Sequence, residues 1–580
     1  VYECVMNEAS KNLVVLACSA TKLDVANQLP AIALYDGPLF RVLRSYLREY
    51  RWPESLSVAV LSAKYGLIGG LAEIATYDWR MTTNRANELY GSVNKTLAEW
   101  STAHSRVDLI LGQDYLSSID RRQVHQLYPA SHVAEGPIGM KLNQLHRLLR
   151  TIGSACRPST LELQRRDSLT YFLPDWDDFI DEDFDFGNDT FSCKDRSKRN
   201  EKHVSTLMRP KRVCDGVVVS LAQHLGSKGL LRRVRSSDPS LLTPRSVRHH
   251  FSLAEDQYAF GDCGAFSYVS EPAPSISVDQ AVVLYDLYDF DLGASVDHIP
   301  VPYLSVSSGK RLLTDAERLE RVKVTRNNAA EFLQVHKERR ARFIPVGVIQ
   351  GLDADSYARQ IDEYVEMGYD YLALGGLVLR TNKEIEKIVV EVDKKLKIRK
   401  NKPWIHLFGI FRPALQSLFR ESGIASFDSA TYFRKAWLRS DQNYLGTDGQ
   451  WYAAIRVPPL SDPRIRQRIN MSGHSEVELA RLEGEVLTKL HQYEKKKASL
   501  RETLDSVRTY DGLLSRAQGI DQNLYEAYGE TLEKRPWEKC DCPMCSKLGI
   551  DVIIFRGKNR NKSRGAHNTL QLYEKANSAT

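Results

Sequence analysis

Along residues 343–427, apolar runs of four to seven residues alternate with longer stretches in which apolar side chains recur every three or four positions. A short apolar run followed by a helical period reads as a buried strand feeding an amphipathic helix. The pattern predicts strands over 343–349, 371–374, 404–408 and 424–427, and helices over 354–367, 383–396 and 413–422. No hairpin signal separates the strands, so neighbours must run parallel through helical crossovers. Extended over residues 209 to about 457, the repetition predicts an α/β fold built as a (β/α)8 TIM-type barrel, with an open doubly wound sheet as the alternative. Gln350, Gly375, Gly409 and Asp428 each follow the carboxyl end of a predicted strand, where parallel barrels assemble their active sites.

The same alternation opens the chain on a smaller scale. Apolar runs at 13–17, 58–61 and 109–111 precede helical patterns at 38–47, 84–100 and 140–149, predicting a small α/β domain over residues 1–152. Residues 153–208 read as an acidic linker, because seven of the eleven residues from 175 to 185 are Asp or Glu. A sharper reading has these carboxylates and aromatic rings mimic phosphates and bases in a nucleic-acid groove. Between residues 475 and 534 the charged helical period predicts a helical pair, inserted into the barrel over about 460–534.

Composition narrows the function class. A chain of 580 residues is too long for one core, and its 42% hydrophobic content is that of a globular protein. No apolar run is long enough to span a bilayer and no basic-then-apolar leader opens the chain, which gives the expectation of a cytoplasmic protein without a membrane partner. Net charge is +7, but basic residues cluster at 209–248, 394–402, 495–501 and 556–564. Such patches can track a phosphate backbone, or be solvated faces.

Six of the nine cysteines are scattered singly: Cys4, Cys18, Cys156, Cys193, Cys214 and Cys263. That distribution excludes a disulfide framework. The other three, Cys540, Cys542 and Cys545, fall within six residues, with His567 following. Three thiolates and one imidazole complete a tetrahedral shell, and four protein ligands leave no position for water, so the expected ion is a structural zinc, within a subdomain over about 535–580.

This Cys-x-Cys-x2-Cys-x21-His spacing, followed by Asn568, Thr569 and Leu570, resembles the zinc subdomain of the tRNA-guanine transglycosylase superfamily. Further motifs resemble that family in chain order. Gly347 to Gly351, with Gln350, resembles its Gly-x-x-Gln-Gly; Tyr371 to Leu377 its Ala-x-Gly-Gly-Leu; Gly423 to Ser429 its Gly-x-x-x-Phe-Asp; Asp262 to Phe266 its Asp-Ser-Gly-Gly-Phe; and Asp291 to Asp297 its base-reading loop. The resemblance covers residues 209–580. It implies a base-exchange enzyme in which Asp428 is the nucleophile, Asp262 the general acid and base, and Asp297, Gln350, Gly375 and Gly376 the base-binding group. Those residue types suit the chemistry, since a carboxylate beside an anomeric carbon can carry a glycosyl intermediate and glycines let backbone approach a ligand. Each aspartate alone reads equally as a helix cap.

Two departures bear on the polynucleotide. After Asp428 the tRNA enzymes continue Cys-x-x-Pro-Thr-Arg, whereas here Ser429, Ala430, Thr431, Tyr432, Phe433, Arg434 and Lys435 follow, and the zinc cluster lies far downstream. The chain in this respect resembles the DNA branch, whose members insert 7-deazaguanine bases such as 7-cyano-7-deazaguanine (preQ0). DNA and a small deazaguanine base are the implied partners, other proteins of a DNA-modification pathway further ones, and tRNA the alternative. A reading from another class is a catalytically inactive nucleic-acid-binding module. The N-terminal motifs around Cys18, Tyr35 and Lys64 resemble an uncharacterised domain distantly like peroxide-stress proteins, and Cys18 with Lys64 is a possible second active site.

Overall fold

The computed structural model describes residues 11–25, 28–153, 163, 169–175, 178–222, 240–244, 246–307, 309–438, 440–462, 475–518 and 524–577. Cys4, Cys156, residues 223–239 and 245 of the 209–248 basic segment, and parts of the 153–208 and 460–534 segments lie outside them.

In the first domain the strands β1 (Lys11–Ala17), β2 (Leu56–Ser62), β3 (Gly66–Gly69), β4 (His104–Ile110) and β5 (His132–Val133) form one sheet in the order β3-β2-β1-β4-β5. β2, β1, β4 and β5 are parallel, and β3 turns back antiparallel on β2. Alternation along β1 sorts its side chains: Val14 and Leu16 enter one core with Phe40, Leu43 and Leu145, while Leu13 and Val15 enter another with Val93 and Leu97. The helices that cover these faces are α1 (Pro38–Glu49), α2 (Thr83–Trp100) and α3 (Ile138–Ile152).

Eight parallel strands close a barrel: β6 (Thr170–Pro174), β7 (Gly216–Ser220), β8 (Tyr258–Asp262), β9 (Leu292–Ala294), β10 (Ile344–Ile349), β11 (Tyr371–Leu374), β12 (Trp404–Leu407) and β13 (Ile424–Asp428). The (β/α)8 reading holds, and the doubly wound alternative falls. Helices α4 (Val278–Leu287), α5 (Asp315–Arg339), α6 (Ala354–Met367) and α7 (Asn382–Lys397) alternate with the middle strands. All four carry a capping box in which a Ser, Thr or Asp side chain accepts the third backbone N–H.

Contacts divide the chain into two compact units: Val1–Gln164, Val219–His250 and Ala259–Gly376 in one, Arg165–Val218, Phe251–Tyr258 and Leu377–Thr580 in the other.

The expected linker is corrected. β6 lies inside it and pairs with β13, Tyr171 opposite Phe427, so the barrel begins well before residue 209. Asp178 and Asp181 are buried, the first hydrogen-bonded by His203 and the second by Ser192 and a backbone N–H. Carboxylates committed in this way cannot stand in for phosphates at a surface, and Trp176 and Asp177 lie outside the described residues.

The 475–534 segment also differs, in number and place. It holds three helices, α8 (Glu476–Glu494), α9 (Leu500–Gln518) and α10 (Tyr525–Lys534), and follows the last barrel strand instead of interrupting the barrel. The basic run at 556–564 is no surface patch. It opens α11 (Gly557–Asn577), where Arg556, Arg560, Lys562 and Arg564 are buried. Arg556 pairs with Asp189 and Glu483, Arg560 with Asp189 and Asp551, and Arg564 donates to the carbonyls of Ala436, Val552 and Ile554.

Candidate active site and metal centre

In the first unit, β8, β9 and β10 each deliver a polar residue at or just beyond the carboxyl end. Asp262 closes β8 half-exposed, and Cys263 follows it, fully buried. Asp297 lies three residues beyond β9, and Gln350 one beyond β10, both buried. Gln350 Nε2 donates to Asp297 Oδ2 at 2.7 Å and the Cys263 thiol to Asp297 Oδ1 at 2.9 Å. The Tyr268 hydroxyl is shared between Cys263 Sγ at 3.1 Å and the Asp297 carbonyl at 2.9 Å. Ligand atoms of Asp262, Cys263 and Asp297 lie within 4.8 Å of one another.

Burial holds the Asp297 carboxyl above the ordinary carboxylate range and pushes the Cys263 thiol well up, so the thiol stays protonated and keeps donating. Gln350 Oε1 is buried with no hydrogen-bond partner among the described residues. An orphan acceptor of this kind costs about 1–3 kcal/mol unless a ligand satisfies it. Gly375 and Gly376 pack directly against the Gln350 amide. A Cβ on Gly375 would lie 2.2 Å from Gln350 Nε2, and one on Gly376, where φ is +69°, would lie 2.6 Å from Gln350 Oε1. The Gly375 carbonyl is fixed by the Tyr357 hydroxyl at 2.7 Å.

In the second unit, Asp428 ends β13 and is 7% exposed. Its Oδ1 accepts the Gly409 N–H at 2.7 Å and approaches His406 Nε2 at 3.2 Å. A chain behind the imidazole sets its tautomer. Trp404 Nε1–H donates to Ser426 Oγ at 2.8 Å, leaving the serine proton for His406 Nδ1 at 2.9 Å, so Nε2 carries the hydrogen that faces Asp428. Among the described residues no hydrogen bond reaches Asp428 Oδ2.

The third group is the cysteine cluster, buried throughout. Cys540, Cys542 and Cys545 place their sulfurs 3.5, 3.5 and 3.4 Å from His567 Nδ1. A tetrahedral zinc with bonds of about 2.3 Å to sulfur and about 2.05 Å to nitrogen separates those atoms by about 3.5 Å, so the set can hold a metal. His567 Nε2–H donates to the Leu445 carbonyl at 2.7 Å, which leaves Nδ1 bare toward the sulfurs, and the Tyr444 ring stacks on the imidazole at 4.1 Å.

A DNA-guanine transglycosylase of Salmonella montevideo is 33% identical over 409 residues, covering 70% of this chain and 96% of the relative. The chain belongs to this guanine transglycosylase family. Within the transglycosylase, the sequence family described as Queuine tRNA-ribosyltransferase matches residues 310–456, and a family of unknown function (DUF6884) matches residues 13–147. The protein is therefore a glycosyl-transferring enzyme, and the reading as an inactive binding module is set aside.

Every site residue singled out in the transglycosylase sequence falls at a barrel strand end or in the cysteine cluster. Asp262, Asp297, Gln350, Gly375 and Gly376 gather in one unit; Asp428 and the four cluster residues belong to the other. Sequence reading missed the groups behind them. His406, Ser426 and Trp404 were hidden because a strand-end histidine inside an apolar run carries no spacing signal, and Tyr268 because a tyrosine four residues beyond Gly264 looks like any other. Cys263 was visible as a departure from the family's serine, without a role. Among the described residues no helix is long and apolar enough to cross a membrane.

Proposed function

We propose that this transglycosylase exchanges guanine in DNA for a 7-deazaguanine base such as preQ0, through a glycosyl ester on Asp428. The observation that carries the reading is the Asp428 carboxylate: one oxygen is pinned by the Gly409 N–H and His406, and the other is left without a protein donor among the described residues. A pinned and oriented carboxylate suits attack on C1′.

Asp428 forms a bond to C1′ as the bond from C1′ to guanine N9 breaks, and Asp262 gives a proton to the departing base. The incoming base then returns its N9 proton to Asp262 while N9 attacks C1′ and displaces Asp428. Asp297 accepts hydrogen bonds from the donor edge of the base, Gln350 Oε1 takes a further one, and the Gly375/Gly376 backbone lies against the ring plane. Cys540, Cys542, Cys545 and His567 would hold a zinc ion, which would supply a fixed cross-link between the 540–545 segment and α11.

DNA as the polynucleotide is supported by the relative's name and by the Ser429 to Lys435 segment, where the tRNA enzymes carry Pro-Thr-Arg. The competing reading, tRNA, draws on the tRNA-ribosyltransferase match over 310–456. A target base must leave its stack to reach a barrel mouth, at a cost of a few kcal/mol that favours easily opened sites.

Incubation of enzyme and DNA with a slow-reacting base analogue should give a complex that survives denaturing electrophoresis. Asp428→Ala should abolish both that complex and base exchange while leaving DNA affinity within about twofold, because phosphate contacts are untouched. An adduct that persists in Asp428→Ala would place the nucleophile elsewhere.

A further inference from the structure

The N-terminal domain carries a second cluster of reactive side chains that base exchange does not use. Its parallel strands run β2-β1-β4-β5, and the chain passes from β1 to β2 on one side, then back across to β4 on the other. The order therefore reverses between β1 and β4. In open α/β sheets ligands bind outside the carboxyl ends of the strands at such a switch point.

The cluster sits at those strand ends. Cys18 immediately follows β1, and its sulfur is 3.2 Å from the hydroxyl of Tyr115, five residues beyond β4. Lys22 lies on the loop after Cys18, and Lys64 two residues beyond β2. Both ammonium groups lie over one ring, that of Tyr77, at 4.2 and 5.6 Å. The Tyr77 hydroxyl is bonded to Tyr35 at 2.6 Å and to Ser62 at 2.8 Å, so the ring is held from behind. Asp78 acts on Lys22 electrostatically, yet among the described residues neither lysine forms an ion pair with a carboxylate.

Two unpaired cations converging on one buried-backed ring define a place for an anion. Burial already disfavours the Lys22 charge, and a bound anion would relieve that cost. A flat partner is also provided for. Tyr65 is 37% exposed and meets Tyr77 edge-on at 5.4 Å, and Trp79 is 53% exposed. Arg85 stacks over Trp79 at 5.3 Å and clamps the carbonyls of Ala63 and Lys64, tying that ring to the Lys64 loop. Exposed aromatic faces beside lysines suit a base joined to a phosphate.

We infer that the switch point of the N-terminal domain is a second ligand site, taking a nucleotide whose phosphate lies between Lys22 and Lys64 and whose base stacks on Tyr65 or Trp79. The shared chemistry is a phosphate with an attached base, supplied by a free nucleotide or by a nucleic-acid strand.

Cys18 reports occupancy, since a ligand there covers its thiol. Full-length protein is treated with iodoacetamide in the presence of dGMP, a short single-stranded oligonucleotide, deoxyguanosine or inorganic phosphate, and Cys18 modification is read on its peptide by mass spectrometry. dGMP or the oligonucleotide should protect Cys18, and whichever acts at lower concentration identifies the source. The double variant Lys22→Ala/Lys64→Ala should need about tenfold more ligand or greater for the same protection, with unchanged iodoacetamide labelling of its Cys18 in the absence of ligand as the sign that the N-terminal domain still folds. Absence of protection by both nucleotide probes overturns the inference. So does protection that is equal with deoxyguanosine, that needs only inorganic phosphate, or that survives the double variant.

Discussion

Asp297 keeps its proton to higher pH than an exposed aspartate because burial penalises its charge more than the Cys263 and Gln350 hydrogen bonds offset. Accepting hydrogen bonds from a base requires the ionised form. Base affinity should therefore be full above this raised pKa and be lost as pH falls through it, within a window above the usual aspartate value of about 4. With the folded pKa above the unfolded one, ionisation at this position subtracts stability as pH rises through that same window. KM for the base should accordingly climb toward acid pH, and in Asp297→Asn it should be raised at every pH with the acid dependence gone. An unchanged pH profile in that variant would remove Asp297 from base recognition. At this scale the sequence was most legible where a residue is proposed to meet substrate. Asp428 and Gln350 stood out by following strand ends, whereas His406 and Ser426 act through Asp428, and a supporting hydrogen bond leaves no periodic trace.

Elements explain how these side chains are aimed. Tyr285 of α4 lies flat against β8 and β9, where a Cβ on Gly261 would come within 2.1 Å of its ring and one on Gly293 within 2.5 Å. The two glycines thus let the helix approach the strands that carry Asp262 and Asp297. Gly261→Ala should force the ring out at a cost of about 1–3 kcal/mol, read as a lowered melting temperature; an unchanged melt would show that the ring moves freely. The cysteine cluster acts on another element, since only His567 belongs to α11 and the sulfurs come from residues 540–545, which lead into the short helix Pro543–Leu548. Cys542→Ser should lose zinc and soluble protein together, because a structural ion contributes its binding free energy to folding. Full zinc occupancy in that variant would contradict the assignment. Strands 371–374 and 424–427 and helix 354–367 were readable to within a residue, because strong periods and flanking turns mark them. β6 was not, since its five residues run directly into the acidic stretch that composition marks as linker.

For the whole molecule, charge counted along the sequence misled where charge in space did not. The 556–564 run looked like a phosphate track, yet its arginines are buried against Asp189, Glu483, Asp551 and backbone carbonyls. Sequence reveals how many charges a segment holds, while the fold decides which are already neutralised. Barrel, cysteine–histidine cluster and transglycosylase class were legible because they rest on ordered motifs; domain limits were not, because the barrel's first strand lies in what composition marks as linker. In the proposed function this transglycosylase places a deazaguanine base in DNA. Labelled preQ0 is incubated with the enzyme and either DNA or tRNA, followed by digestion to nucleosides and mass spectrometry. The labelled deoxynucleoside should appear in DNA with one guanine released per base inserted and no label in tRNA, whereas label in the tRNA ribonucleoside and none in DNA would contradict it.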